Sequence, residues 1–333
     1  MTPDIPVIDI APLYSSDPTD WVDVAHQIDR ACQRSGFFYV KGHRVSGTTM
    51  NDVLNMAKQL FAQPMAEKLT IDITQSDHHR GYGAIATEQL DPTLPGDCKE
   101  TFDMGRHLLA DDPDVLAGKP LHGPNRYPAI SGFQSTMETH YWRMLEVGKT
   151  ILKGIAVALG IAPDYFDSRF TQPISVLRFI HYPPATAITD DQQIGAGAHT
   201  DYGCITILYQ DEVGGLQVKN RQGNWIDATP IPDTFVINIG DMMARWSNDR
   251  YTSTPHRVVN QASRDRYASP FFVEPNFDTE IYCLSGCSQP DQPTKYPAIS
   301  AGEYLLSRFR DTYAYRQAAI VAAESEPVSK TST

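Results

Sequence analysis

The chain has 333 residues, enough for one large domain or two small ones with a sizeable core. Its 28 Lys and Arg against 40 Asp and Glu give a net charge of −12 with no basic run, which argues against nucleic acid or an anionic membrane surface as a partner. No stretch approaches the roughly eighteen apolar residues of a membrane span, and Met1-Thr2-Pro3-Asp4 lacks the basic and apolar regions of a signal peptide, so a cytoplasmic protein is expected.

Near the start, Val7, Ile8 and Ile10 read as a short strand, and Val24, Ile28, Ala31 and Cys32 fall at helical spacing with Gly36 as the stop. Phe37 to Val40 reads as a buried strand. A second helix is predicted from Val53, Met56, Ala57, Leu60 and Phe61, ending before Pro64. In His78-His79-Arg80-Gly81-Tyr82-Gly83 the adjacent histidines diverge, and the flanking Asp77 and Gly81 predict a solvated loop rather than a metal site.

Pro113 to Pro128 is rich in proline and glycine and is expected on the surface. Met144, Val147, Ile151, Ile155 and Ala158, with Leu152 and Leu159 beside them, predict a long central helix ending at Gly160. From Ser175 the period becomes strand-like, first in Val176 to Tyr182. Short strands separated by turns then continue to about Cys283, the signature of a sandwich or barrel. A last helix carries Tyr304, Leu305, Phe309 and Tyr313 on one face, and the polar Glu324 to Thr333 reads as a disordered tail. No internal repeat and no linker marks a second domain.

The chemistry gathers in Ala198-His199-Thr200-Asp201-Tyr202-Gly203. Side chains two residues apart point to the same side of an extended strand, so His199 and Asp201 could supply two metal ligands from one strand. His-x-Asp alone is as readily an ordinary hydrogen-bonded pair. Several antiparallel strands fit between it and His256, which makes His256 the candidate third ligand. Two imidazoles and a carboxylate leave one face of an octahedral ion open, as in non-haem iron(II) oxygenases. Arg266 follows in the strand-like run Arg266 to Phe272, where a guanidinium could clamp a carboxylate beside the metal or form a structural salt bridge. Cys32, Cys98, Cys204, Cys283 and Cys287 lack zinc-type spacing, and Cys283-x-x-x-Cys287 reads as two reduced thiols.

At these positions the chain resembles the iron(II)/2-oxoglutarate-dependent oxygenases, in the branch similar to isopenicillin N synthase. The landmarks are Ile5 to Asp9, Gly36 to Val40, Gly195 to Gly203, Gly214-Gly215-Leu216-Gln217-Val218, Asn238-Ile239-Gly240-Asp241, Ser253 to Val258 and Asn276-Phe277, densest from Leu177 to Phe272.

The resemblance implies an α+β fold: a distorted double-stranded β-helix, or jelly roll, braced by N-terminal, central and C-terminal helices. One oxygenase domain would span 1–323, with a mainly helical part at 1–170, the jelly-roll core and iron site at 171–285, a helical segment at 286–323 and the tail at 324–333. It further implies iron(II) held by His199, Asp201 and His256, and 2-oxoglutarate held by Arg266 and Tyr182. Tyr82, Thr101, Phe102, Tyr202, Phe272 and Asn276 become the substrate neighbours. Oxygen and 2-oxoglutarate would be consumed, carbon dioxide and succinate released, and a small molecule hydroxylated, desaturated or cyclised. Oligomeric state has no signature here.

Two positions depart from the family's usual pattern. Ala268 stands where Arg-x-Ser has serine, and Ile180 replaces the asparagine of Asn-Tyr-Tyr-Pro, although Tyr182 and Pro183 remain. Loss of a hydroxyl donor to a carboxylate, about 1.5 to 3 kcal/mol, predicts weaker 2-oxoglutarate binding. Alternatives are an oxidase like isopenicillin N synthase, with Arg266 on the substrate's own carboxylate, and a non-catalytic binding protein on the same scaffold. An ethylene- and succinate-forming enzyme is a further one, but Ser175-Val176-Leu177-Arg178 lacks the first arginine of that enzyme's Arg-Val-Leu-Arg. A zinc hydrolase is opposed by the lack of a His-Glu-x-x-His helix.

Overall fold

Apolar residues with helical spacing and apolar residues with a period of two alternate along the first half of the chain, and each kind builds the element its period allows. In the computed structural model, which describes residues 5–185, 194–259, 262–288, 291 and 293–313, this half forms β1 (Val7–Asp9), α1 (Trp21–Arg34), β2 (Phe37–Lys41), α2 (Gly47–Phe61), α3 (Met65–Leu69), β3 (Gly81–Gly83), β4 (Glu100–Met104), α4 (Pro113–Leu116) and α5 (Phe133–Leu159). Gly36 ends α1 at φ +67°, its N–H on the Ala31 carbonyl at 3.0 Å. Gly160 ends α5 at φ +72°.

The second half is mostly strand: β5 (Val176–Tyr182), β6 (Ala196–His199), β7 (Ile205–Gln210), β8 (Leu216–Lys219), β9 (Trp225–Asp227), β10 (Phe235–Ile239), β11 (His256–Val258), β12 (Arg266–Val273), β13 (Glu280–Ile281) and β14 (Ile299–Ser300). Two helices interrupt or follow them, α6 (Asp241–Trp246) and α7 (Ala301–Thr312). Ser300 caps α7 by accepting from the Glu303 N–H at 3.2 Å, and its hydroxyl donates to Glu303 Oε2 at 2.9 Å.

The strands form a distorted jelly roll. An eight-stranded sheet, β1-β2-β10-β7-β12-β5-β4-β3, faces a four-stranded one, β6-β11-β8-β9. Among the described residues all pairings in these two sheets are antiparallel except β1 with β2. The N-terminal strands make both edges of the large sheet, so residues 5–170 and the later core share one sheet.

Strand alternation divides the interior. Odd-numbered Leu177, Phe179, Ile205, Ile207, Phe271 and Val273 join α1, α2 and α5 in the main core. A Cβ added at Gly148 of α5 would come within 2.9 Å of Val273, so that helix lies close on β12. Even-numbered Ile180, Tyr182 and Ala268 face the small sheet with Leu216, Val218 and Val258. Burying each large side chain contributes on the order of 1.5 to 3 kcal/mol.

Two surface expectations are corrected. His79 is 1% exposed and stacks on Phe309 of α7 at 4.2 Å, so this histidine is buried under an aromatic helix face, while His78 is half-buried. Within 113–128, Leu116 is exposed but Leu121 and His122 are buried, because the loop folds back under Arg80, whose guanidinium donates to the Leu121 carbonyl. The predicted tail at 324–333 and residues 314–323 lie outside the described residues. Among the described residues no helix is long and apolar enough to cross a membrane.

Candidate active site

β6 ends on His199 and β11 begins on His256, and these two residues are direct cross-strand partners. Their ring centroids lie 4.3 Å apart. Asp201 does not share β6 with His199, as a period of two would have it; the strand stops first, and Asp201 stands in the following loop. Its Oδ1 is 3.6 Å from Nε2 of each histidine. Ligand atoms from all three residues lie within 4.8 Å of one another.

Each ring is oriented from behind. His199 Nδ1 meets the Gly197 carbonyl at 2.7 Å, and His256 Nδ1 meets the Thr254 carbonyl at 3.1 Å. These contacts put the proton on Nδ1 and leave the Nε2 lone pairs free toward Asp201. Asp201 Oδ2 accepts from Thr206 Oγ1 and, at 2.7 Å, from Asn238 Nδ2. Sequence reasoning missed both donors, although Asn238 stood in a recognised landmark.

Burial opposes the ionisation of Asp201, but the two imidazoles and these hydrogen bonds outweigh it and hold the carboxyl below its ordinary value. Burial, then the facing His256 ring, pushes His199 down to about 3. Two imidazole nitrogens and a carboxylate oxygen are the donor set that a divalent iron takes.

Arg266 and Tyr182 are also cross-strand partners, with the guanidinium carbon 4.6 Å from the ring centroid. Arg266 is 1% exposed. Its Nε donates to the Gly214 carbonyl and its Nη2 reaches Gln210 Oε1 at 3.4 Å, while Nη1 is buried without a partner. Among the described residues no carboxylate pairs with it. A buried cation without an anion is strongly unfavourable, so this pocket fits an anionic guest.

Ala268 and Ile180, the two departures, stand opposite each other on β12 and β5. Both belong to the apolar cluster that also contains Tyr182 of the clamp.

The six substrate candidates divide. Tyr202 and Phe272 line the cavity that also holds His199, Asp201 and His256. Tyr82, Thr101, Phe102 and Asn276 do not. The Tyr82 hydroxyl donates to Glu100 at 2.6 Å, and the Phe102 ring meets Phe133 edge-on at 5.3 Å. Thr101 packs against Gly83, where an added Cβ would meet its Oγ1 at 2.6 Å. Asn276 ties the loop after β12 to Gln172 N at 2.6 Å. Strand alternation turns Tyr82 and Phe102 away from the cavity, toward the helices.

In their place the cavity wall carries Glu88, Lys99, Arg178 and Glu274, which sequence reasoning missed. Arg178 grips Asp103 bidentately at 2.6 and 2.8 Å and reaches Glu88 at 3.1 Å. Lys99 joins Glu88 at 2.8 Å and Asp97 at 2.7 Å. Burial opposes the ionisation of Glu88, but Arg178 and Lys99 hold it well below the carboxylate range. The period of two was the available signal: Val176, Arg178, Ile180 and Tyr182 all line the cavity, as do Arg266, Ala268, Pro270, Phe272 and Glu274.

Comparison with known proteins agrees with this arrangement. Residues 5–130 match the family described as non-haem dioxygenase in morphine synthesis N-terminal, and residues 173–275 match the 2OG-Fe(II) oxygenase superfamily. A 2-oxoglutarate-Fe(II) type oxidoreductase of Emericella nidulans is 34% identical, covering 94% of this chain and 91% of its own. A homoarginine-6-hydroxylase of Oryza sativa subsp. japonica is 38% identical, covering 91% and 96%. Among solved structures, a full-length Neurospora crassa protein in complex with alpha-KG and thymine superposes with a TM-score of 0.81 at 34% identity, covering 92% and 96%. The chain therefore belongs to the 2OG-Fe(II) oxygenase superfamily, the iron(II)- and 2-oxoglutarate-dependent oxygenases.

Proposed function

We propose that His199, Asp201 and His256 hold the iron(II) of this dioxygenase, and that Arg266 with Tyr182 holds the far carboxylate of 2-oxoglutarate. The observation that carries the reading is the partnerless Nη1 of Arg266, a buried cation in the wall of the cavity that also contains the His-Asp-His cluster. When bound, iron(II) supplies oxygen activation coupled to the decarboxylation of 2-oxoglutarate to succinate.

The chain's own residues orient and enclose. Thr206 and Asn238 fix Asp201 so that one oxygen stays turned to the two rings. Ile180, Leu208, Leu216 and Val258 make an apolar wall that excludes water and strengthens the clamp on an anion. Tyr202 and Phe272 border the space left for a small-molecule substrate, which is oxidised at a carbon facing the metal. Hydroxylation is the favoured outcome, supported by the hydroxylases among the relatives.

A cytoplasmic location is supported by five free cysteines, four of them buried, and the acidic net charge of −12 supports a protein without nucleic acid or membrane partners.

The test is an anaerobic titration of 2-oxoglutarate into the iron(II)-loaded protein, following the visible charge-transfer band of a chelated keto acid. A saturable band, and succinate release on admitting oxygen, support the assignment. Iron bound tightly with no band overturns it.

A further inference from the structure

One acid in the cavity is left over. Beyond β12 the alternation takes one more step, from Phe272 to Glu274, and brings its carboxyl to the cavity wall. Ser175 Oγ pins the backbone there, donating to the Glu274 carbonyl and accepting from its N–H, each at 2.9 Å. The side chain lies against the loop that carries Asp201: a Cβ added at Gly203 would meet Glu274 Cγ at 2.9 Å. Glu274 is 3% exposed, and its Oε2 is buried with no hydrogen-bond partner.

The other acid of this wall outside the metal cluster, Glu88, has cationic partners. Glu88 is shared by Arg178 and Lys99, Asp103 by the fork of Arg178, and Asp97 by Lys99. Those two cations are fully engaged. Of the cations acting on Glu274, Arg80 contributes most, and its guanidinium donates to the carbonyls of His78, His79 and Leu121. Among the described residues no Lys, Arg or His forms a salt bridge with Glu274. Burial pushes its carboxyl well above the usual range. Lys99 and Arg178 are committed to Glu88, Asp97 and Asp103, so neither wall cation pairs with Glu274.

We propose that Glu274 is the substrate anchor of this oxygenase and that the substrate carries a cationic side-chain nitrogen, an ammonium or a guanidinium distinct from any α-amino group, which pairs with its carboxyl. A guest of that kind replaces the missing counter-charge, whereas a neutral guest leaves the carboxyl as it is. The proposal rests on the oxygenase reading above.

Calorimetry on the anaerobic, iron(II)- and 2-oxoglutarate-loaded protein tests it with probes matched in size and differing in side-chain charge: homoarginine against homocitrulline, arginine against citrulline, lysine against 2-aminoheptanoate. At least one cationic member is expected to bind saturably and to stimulate succinate release in oxygen, its neutral isostere binding at least about tenfold more weakly. Glu274→Gln is expected to erase that preference. Equal binding within each pair, binding of neutral members alone, no binding by any cation, or an unchanged preference in Glu274→Gln each overturns the proposal. Should that variant fail to fold, the wild-type pairs still decide. The charge-transfer band, read on the same sample, reports separately on the oxygenase reading, since calorimetric binding needs no band.

Discussion

His199 and His256 face each other across the β6–β11 pair, and the register slips immediately beyond them, between His256 and Val258. A shift of one residue in that pairing would carry His256 to the opposite face of the small sheet. The bulge therefore confines the metal geometry to the first rung of the ladder, and the two strands hold the rings where loop residues could not.

Asp201 lacks a strand's support and depends on Thr206 and Asn238 instead. Asn238→Leu is expected to weaken iron(II) binding by about ten- to a hundredfold while leaving the fold intact. Competition with a chromogenic iron(II) chelator reads the change; an unaltered affinity would show that the carboxylate holds its place unaided.

Arg266→Leu removes the cation of the proposed keto-acid clamp and replaces it with an apolar side chain. The 2-oxoglutarate dissociation constant should rise by at least about a hundredfold. Arg266→Lys should recover part of it, because a point charge lacks the planar fork. The charge-transfer titration measures both.

Ala268→Ser restores a hydroxyl beside the clamp and is expected to tighten 2-oxoglutarate binding by about 1 to 2 kcal/mol. Since Ile180 is its cross-strand partner, Ala268→Ser and Ile180→Asn should be non-additive, and the double-mutant cycle on 2-oxoglutarate affinity measures the coupling. Strict additivity would refute a shared contact.

His181 sits on the outer side of β5, its two ring nitrogens 2.7 Å from Glu100 and from Asp265. Burial works against its protonated form, but these carboxylates win and raise it above its ordinary 6.5. Stability from this group is therefore fully present below about pH 6.5 and is lost as pH rises through the raised folded value. Melting temperatures of wild type and His181→Gln should converge with rising pH; a gap that does not depend on pH contradicts the ion pairs.

Gly36 has φ +67°, and a Cβ there would stand 2.1 Å from the Thr252 carbonyl oxygen. Gly36→Ala should cost more than about 1 kcal/mol in urea unfolding, from backbone strain and the close approach together. A neutral result would mean that the Thr252 segment moves aside without cost.

Much was legible from residue type and period alone. The helical repeats marked α1, α2, α5 and α7, the strand-like run from Val176 marked β5, and the chemistry of His199, Asp201, His256 and Arg266 nominated the residues that the fold gathers. These are local properties, set by which side-chain period fits which backbone and which donor atoms suit which ion. Long-range pairing decided the rest. It placed Ile180 against Ala268, buried His79 under Phe309, turned Tyr82 and Phe102 toward the helices, and left Glu274 in the cavity without a partner. Each outcome depends on strand register and on elements far apart in the chain, so no window of sequence contains it.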